Sequence, residues 1–65
     1  MKIRYFRETD TLYIELRPIE SIETRDLDDD TVVDIDVEGK ICGITVEHAS
    51  VRAGIPEMLF EQIPD

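Results

Sequence analysis

The segment "DIDVEGKICGITVEHAS", residues 34–50, carries the clearest structural signal in this chain. In "DVEGK", Asp36 suits the first position of a type I turn, and Gly39 suits the left-handed position that ends it. The resulting three-residue loop joins two antiparallel strands and sets Asp36 opposite Lys40 on the water-facing side. The sequence therefore predicts a β-hairpin with a tight reversal at this point.

The apolar pattern of this hairpin changes phase soon after the turn. The turn sets Ile35 opposite Ile41, but regular alternation then fails because Ile44, three residues further on, also fits the core face. One extra residue in a strand restores the phase, and glycine is the residue type that such a kink tolerates. We therefore predict a β-bulge at Cys42 and Gly43.

The N-terminal region alternates apolar and polar residues in short runs, which is typical of antiparallel strands. The runs "KIRYF" and "TLYIEL" flank the turn-like "RETD" and predict a hairpin. Pro18 then interrupts the ladder, so we expect a charged edge strand over residues 21–27, followed by the turn "DLDDD" and the strand "TVVDIDV". Together these runs predict a strongly twisted antiparallel sheet of about five strands in meander order over residues 1–48.

Residues 49–65 predict a short helical tail. The run "ASVRAG" suits one helical turn that ends at Gly54, and "PEMLFEQI" suits a short helix that begins at Pro56. The whole chain, residues 1–65, is thus predicted to form one small α+β domain. The residues predicted to form its core are Ile3, Tyr5, Leu12, Ile14, Leu16, Ile22, Val33, Ile35, Ile41, Ile44 and Val46.

Size and composition limit the functions that this chain can have. A chain of 65 residues builds one small core, and a single cysteine excludes an internal disulfide, so we expect a homodimer to supplement its stability. The formal charge of −9 and the scattered basic residues argue against direct binding to nucleic acid. The lone thiol and the lack of a long apolar stretch predict a soluble cytoplasmic protein without a membrane span.

The only cysteine and the only histidine, Cys42 and His48, are the first candidates for a chemical site. Nucleophilic catalysis needs a third group that orients the histidine, and the sequence places none evidently. A structural zinc site needs about four ligands, mainly Cys and His, so only a site shared across a dimer axis would reach that number. We therefore predict no catalytic residue, no cofactor and no metal ligand, with Cys42 packed in the sheet and His48 at its end.

Carboxylates along the strands are the second candidate. Asp34 and Asp36 lie two residues apart on one predicted strand and could, with His48, bind a hard cation such as Ca²⁺ or Mg²⁺ weakly. The spacing of an EF-hand loop is absent, and a solvated strand face explains the same residues. A small metal- or ligand-binding subunit that uses Asp34, Asp36 and His48 is therefore the alternative function.

The apolar tail is the candidate site that the pattern favours most. A helix of this length is too short to be stable alone, so the tail must pack on its own sheet or bind a groove of another chain. Tyr13, Val32 and Leu27 fall out of phase with the predicted core and are candidates for a second binding patch. The tail residues predicted to bind a partner are Met58, Leu59, Phe60 and Ile63.

Three sequence features combine into a recognisable pattern. They are "TDTLYIEL", the spacing of Asp36, Gly39, Gly43 and Ile44, and the "AS" at residues 49–50. With these features the chain resembles, over residues 1–50, a family of small bacterial proteins known as domain of unknown function 2283. The resemblance implies a compact, mostly β domain without an established activity. Some members are encoded beside small toxin-like proteins, which suggests a non-enzymatic interaction module that acts as an antitoxin-like partner of a small basic protein.

Overall fold

The computed structural model describes residues 1–55 and 57–64 and shows an open antiparallel sheet with one short helix. The strands are β1 (Lys2–Phe6), β2 (Thr11–Glu15), β3 (Glu23–Asp28), β4 (Thr31–Ile35) and β5 (Ile41–Glu47). The helix is α1 (Ala49–Arg52). This confirms the predicted fold class and the helical turn predicted in "ASVRAG", whereas the second helix, predicted in "PEMLFEQI", is absent from the described residues 57–63. Pro56 lies outside the described residues, and residues 57–64 adopt neither helix nor strand.

The strands follow the spatial order β1-β2-β5-β4-β3, which differs from the predicted meander. β5 pairs with both β2 and β4, and the segment between β2 and β3 crosses the end of the sheet to reach the far edge. The physical reason lies in composition, because β5 is mostly apolar and half-buried or buried whereas every residue of β3 is exposed. A central position therefore suits β5, and an edge position suits β3.

The tight turn between β4 and β5 is confirmed. Gly39 has a φ of 82°, and its N–H donates to the carbonyl oxygen of Asp36 at 3.0 Å. The predicted pairing of Ile35 with Ile41 is present, while the next pair toward the sheet centre joins Asp34 to Gly43. Cys42 is therefore the extra residue of the predicted β-bulge.

Contrary to the prediction, Asp36 does not face water, because only 4 % of its surface is exposed. Its Oδ1 accepts hydrogen bonds from the backbone N–H groups of Glu38 at 2.9 Å and Lys40 at 3.0 Å. A short carboxylate side chain after a strand can accept hydrogen bonds from the backbone amides of a turn in this way. The Asp36 side chain therefore does not depend on an ion pair with the Lys40 side chain. Asp36 is thus a structural residue of the turn.

The core lies on one face of the central strands, which we call the apolar face. Strand pairing places Leu12 opposite Val46, and Val33 opposite Ile44, so these side chains share that face. Leu12 is 7 % exposed and Val33 is 2 % exposed. The other predicted core residues that are buried or half-buried are Tyr5, Ile14, Leu16, Ile35, Ile44 and Val46.

Three residues predicted to lie in the core are exposed. Ile22 is 64 % exposed because it precedes the edge strand β3, and Ile3 is 38 % exposed because it lies on the other edge strand, β1. Ile41 is 46 % exposed at the start of β5, next to the bulge. Conversely, Cys42 and Ala49 are buried, the former as predicted for a cysteine packed in the sheet.

Candidate functional site

The carboxylate of Asp10 joins the turn after β1 to the start of α1. Its Oδ1 accepts hydrogen bonds from the Tyr5 hydroxyl at 2.6 Å and from the backbone N–H of Ser50 at 3.0 Å. Its Oδ2 accepts a hydrogen bond from the Ser50 hydroxyl at 2.7 Å. The N–H of Ala49 also donates to the carbonyl oxygen of Asp10 at 3.0 Å. Residues 40 positions apart are therefore held together by one side chain.

Asp10 and His48 are the two non-glycine residues of the described chain that have left-handed backbone conformations, with φ values of 54° and 55°. Aspartate and histidine are among the side chains that tolerate this conformation best. The bend at His48 ends β5 and directs the chain into α1, whose first residues then meet Asp10. The two bends therefore create the contact between the turn and the helix.

A second set of charged side chains joins the turn after β3 to the same helix. His48 Nδ1 lies 2.7 Å from Asp30 Oδ1, so this nitrogen carries the proton that the carboxylate accepts. Arg52 donates to Asp30 Oδ2 at 3.4 Å and to Asp28 Oδ2 at 3.5 Å. We call the six residues Asp10, Asp28, Asp30, His48, Ser50 and Arg52 the end cluster.

Hydrogen bonds within the end cluster, and from Tyr5 to it, shift several pKa values. The hydrogen bond from Tyr5, followed by those from Ser50, lowers the pKa of Asp10, and the same contact raises the pKa of the Tyr5 hydroxyl. The hydrogen bond to Asp30, with its negative charge, raises the pKa of His48. Each shift favours the protonation state that makes the contact. The polar groups of the end cluster therefore bond to one another, and these bonds hold α1 against the turns.

The raised pKa of His48 predicts a pH-dependent contribution to stability. Because the folded state binds the proton more tightly, this contribution is complete below the unfolded pKa of about 6.5 and is lost as pH rises through the folded pKa. We expect His48→Asn, which tolerates the left-handed backbone, to be less stable than the wild type at pH 5.5 but closer to it at pH 8.5. Thermal unfolding of both proteins at the two pH values measures this. A constant difference between them would contradict the assignment.

The first predicted pair, Cys42 and His48, is not brought together. Cys42 is 4 % exposed, and its Sγ–H donates to the carbonyl oxygen of Asp34 at 3.6 Å. His48 lies beyond the other end of β5, roughly 20 Å away by strand rise. The sequence analysis missed Asp30 as the group that orients His48. The signal was present in the acidic turn "DLDDD", but the strand register was needed to place that turn beside the end of β5.

The predicted carboxylate set, Asp34 and Asp36 with His48, is also dispersed. Asp34 accepts hydrogen bonds from the Tyr13 and Thr24 hydroxyls, both at 3.3 Å, whereas Asp36 binds the amides of its own turn. His48 lies at the opposite end of the sheet from that turn. Within residues 1–55 and 57–64 there is neither a pocket nor a group of three or more His, Cys, Asp or Glu side chains placed to hold a metal.

Tyr13, predicted to lie in a second patch, is half-buried on the face opposite the apolar face. A Cβ atom added at Gly43 would stand 2.5 Å from the Tyr13 Oη, so the glycine leaves room for the ring. Burial, with the nearby charge of Asp34, raises the pKa of Tyr13. The tyrosine therefore has an intramolecular role in covering the β5 backbone, whatever else it binds.

The predicted binding residues of the tail are solvent-exposed. The exposed fractions are 62 % for Met58, 80 % for Leu59, 76 % for Phe60 and 78 % for Ile63. We call residues 57–64 the C-terminal segment. It presents large apolar side chains to water within a chain in which charged residues make up 35 % of the sequence.

The protein is thus a small open antiparallel sheet in which two polar turns, those after β1 and β3, hold a one-turn helix. The chain belongs to the family described as Protein of unknown function (DUF2283), which it matches over residues 2–50. Neither the curated proteins nor the solved structures gave a match. In the part of the chain that the structure describes, no helix is long and apolar enough to cross a membrane.

Proposed function

We propose that this protein is a non-enzymatic interaction module that binds another protein through its C-terminal segment. The observation that supports the proposal is the exposure of Met58, Leu59, Phe60 and Ile63, each at least 62 % exposed. Burying one such side chain contributes about 1.5–3 kcal/mol of favourable free energy, so contact between the segment and a partner surface would stabilise a complex. Contiguous exposed apolar side chains of this kind are typical of binding surfaces.

Charge indicates the chemistry of the partner. The chain carries a net charge of −9, and exposed acidic residues lie along the edge strand β3 and in the turns. A field of this sign accelerates the approach of a basic protein. The proposed partner is therefore a small basic protein, and the family resemblance favours an antitoxin-like role in the cytoplasm of a bacterium. A lone buried thiol such as Cys42 is compatible with a reducing compartment.

A capture experiment with native host lysate tests the proposal. We expect the double variant Leu59→Ser/Phe60→Ser to reduce capture of a basic partner by about tenfold, since two apolar anchors are lost. The matched control is Val37→Ser, which changes a residue that is also exposed, at 77 %, but lies in the turn after β4. The control should capture the partner as the wild type does.

Two outcomes would contradict this function. Either no basic protein is captured by the wild type, or the double variant captures the same proteins in the same amounts. The antitoxin-like role predicts one further result: the captured protein should inhibit growth when it is expressed alone, and co-expression with the present chain should restore that growth.

A further inference from the structure

The outer edge of β1 has no neighbouring strand in the described part of the chain. β1 is the first strand of the sheet and pairs with β2 in continuous register, without a bulge. An edge strand leaves about half of its backbone N–H and C=O groups directed away from the sheet, where another strand can pair with them. Residues 1–7 contain three basic side chains, Lys2, Arg4 and Arg7, and no acidic one.

The C-terminal segment has the complementary charge. Residues 55–65 contain three acidic side chains, at positions 57, 61 and 65, and no basic one. Residues 57–64 carry no secondary structure of their own. Fully extended, they span about 27 Å, whereas the five residues of β1 span about 17 Å. The C-terminal segment is therefore long enough to pair with the whole of β1.

The other edge of the sheet does not offer the same match. β3 contains three acidic side chains, Glu23, Asp26 and Asp28, and its pairing with β4 is interrupted between Asp26 and Asp28. An acidic segment is repelled there, and an irregular edge pairs poorly. Charge and regularity together favour β1 as the site at which this segment binds.

The exposed area fits association of two copies. The chain exposes 5347 Å², whereas a compact monomer of 7.5 kDa exposes about 4200 Å². The excess of about 1100 Å² exceeds the roughly 800 Å² that each partner contributes to a standard interface. The radius of gyration, 12.8 Å, is likewise larger than the value of about 10.7 Å for a compact domain of this length.

We infer that residues 57–63 of a second copy add as a sixth strand beside β1, in a reciprocal exchange that forms a homodimer. Main-chain hydrogen bonds would pair the added strand with β1, and attraction between the acidic C-terminal segment and the basic side chains of residues 1–7 would favour this edge. A two-fold dimer uses each contact twice, so both tails are engaged. The inference goes beyond the proposed function: the same apolar segment pairs with a second copy when no basic protein occupies it.

Charge reversal on each side of the contact tests the inference. By sedimentation equilibrium of the full chain, we expect Arg4→Glu and Glu61→Lys each to weaken the dimer about tenfold, because each reversal acts at both contacts. The double variant restores opposite charges and should return to within about threefold of the wild type. Arg17→Glu is the control for Arg4→Glu, since it makes the same change of net charge in the exposed segment between β2 and β3.

A mixed dimer of isotope-labelled and unlabelled chains locates the contact directly. We expect intermolecular nuclear Overhauser effects between β1 of one chain and residues 57–63 of the other. A chain that is monomeric at millimolar concentration, a dimer indifferent to both reversals, or contacts confined to one chain would each overturn the inference. Arg4→Glu leaves residues 57–64 intact, so a monomeric variant that still captures a basic protein would separate this contact from the proposed function.

Discussion

Leu12→Ala is expected to lower the free energy of unfolding by about 3 kcal/mol. Leu12 is 7 % exposed on the apolar face, where Val46 and Tyr5 lie directly opposite it on the two neighbouring strands. Removing its branched end leaves a cavity that the surrounding sheet fills only in part. A domain of this size has a total stability of only a few kcal/mol, so the variant should be largely unfolded under mild denaturing conditions.

The control for this variant is Ile22→Ala. The sequence pattern predicts Ile22 to lie in the core with Leu12, but the structure leaves it 64 % exposed beside β3. We expect its loss to cost less than about 1 kcal/mol. Urea unfolding followed by circular dichroism, at one fixed protein concentration, measures both values. Equal destabilisation by the two substitutions would show that the apolar face is not the core.

Asp36→Ala is expected to destabilise the protein by about 2 kcal/mol. The carboxylate of Asp36 is buried and accepts hydrogen bonds from the backbone N–H groups of Glu38 and Lys40. Alanine leaves both amides without this acceptor and also removes the side chain that favours the turn over extended conformations. Since the turn sets the pairing of β4 with β5, the effect should extend into the centre of the sheet.

Asp36→Asn separates the hydrogen bonds from the charge. Asparagine keeps a carbonyl oxygen at the same position, so we expect a loss of less than about 1 kcal/mol. Hydrogen exchange at the amides of Glu38 and Lys40 should be faster in Asp36→Ala than in the wild type, and nearly unchanged in Asp36→Asn. If asparagine proved as damaging as alanine, charge rather than hydrogen bonding would be the dominant contribution of Asp36.

Local sequence signals predicted the hairpin between β4 and β5 in detail. The left-handed Gly39, the pairing of Ile35 with Ile41 and the bulge at Cys42 all depend on residues within a few positions of one another. Such features follow from backbone preferences and from the two-residue period of a strand. The same signals correctly predicted the helical turn in "ASVRAG" but wrongly predicted a second helix in "PEMLFEQI", because a short apolar run after a proline is equally compatible with an extended segment.

The strand order and the end cluster depend on contacts between residues far apart in the chain. No local pattern distinguishes a meander from the observed order, because each strand alternates in much the same way whichever neighbour it has. The bonds from Ser50 to Asp10 and from His48 to Asp30 join residues 40 and 18 positions apart. They form only when β5 lies between β2 and β4, so that the turns after β1 and β3 meet the end of β5 at one end of the sheet.

Backbone preference and apolar alternation were thus sufficient for the strands, the tight turn and the bulge, since each is governed by interactions between near neighbours. The exposure of Ile22, the burial of Asp36 and the orientation of His48 by Asp30 came from tertiary structure. Burial and side-chain pairing are properties of the assembled sheet, and a linear pattern does not specify which strands become neighbours.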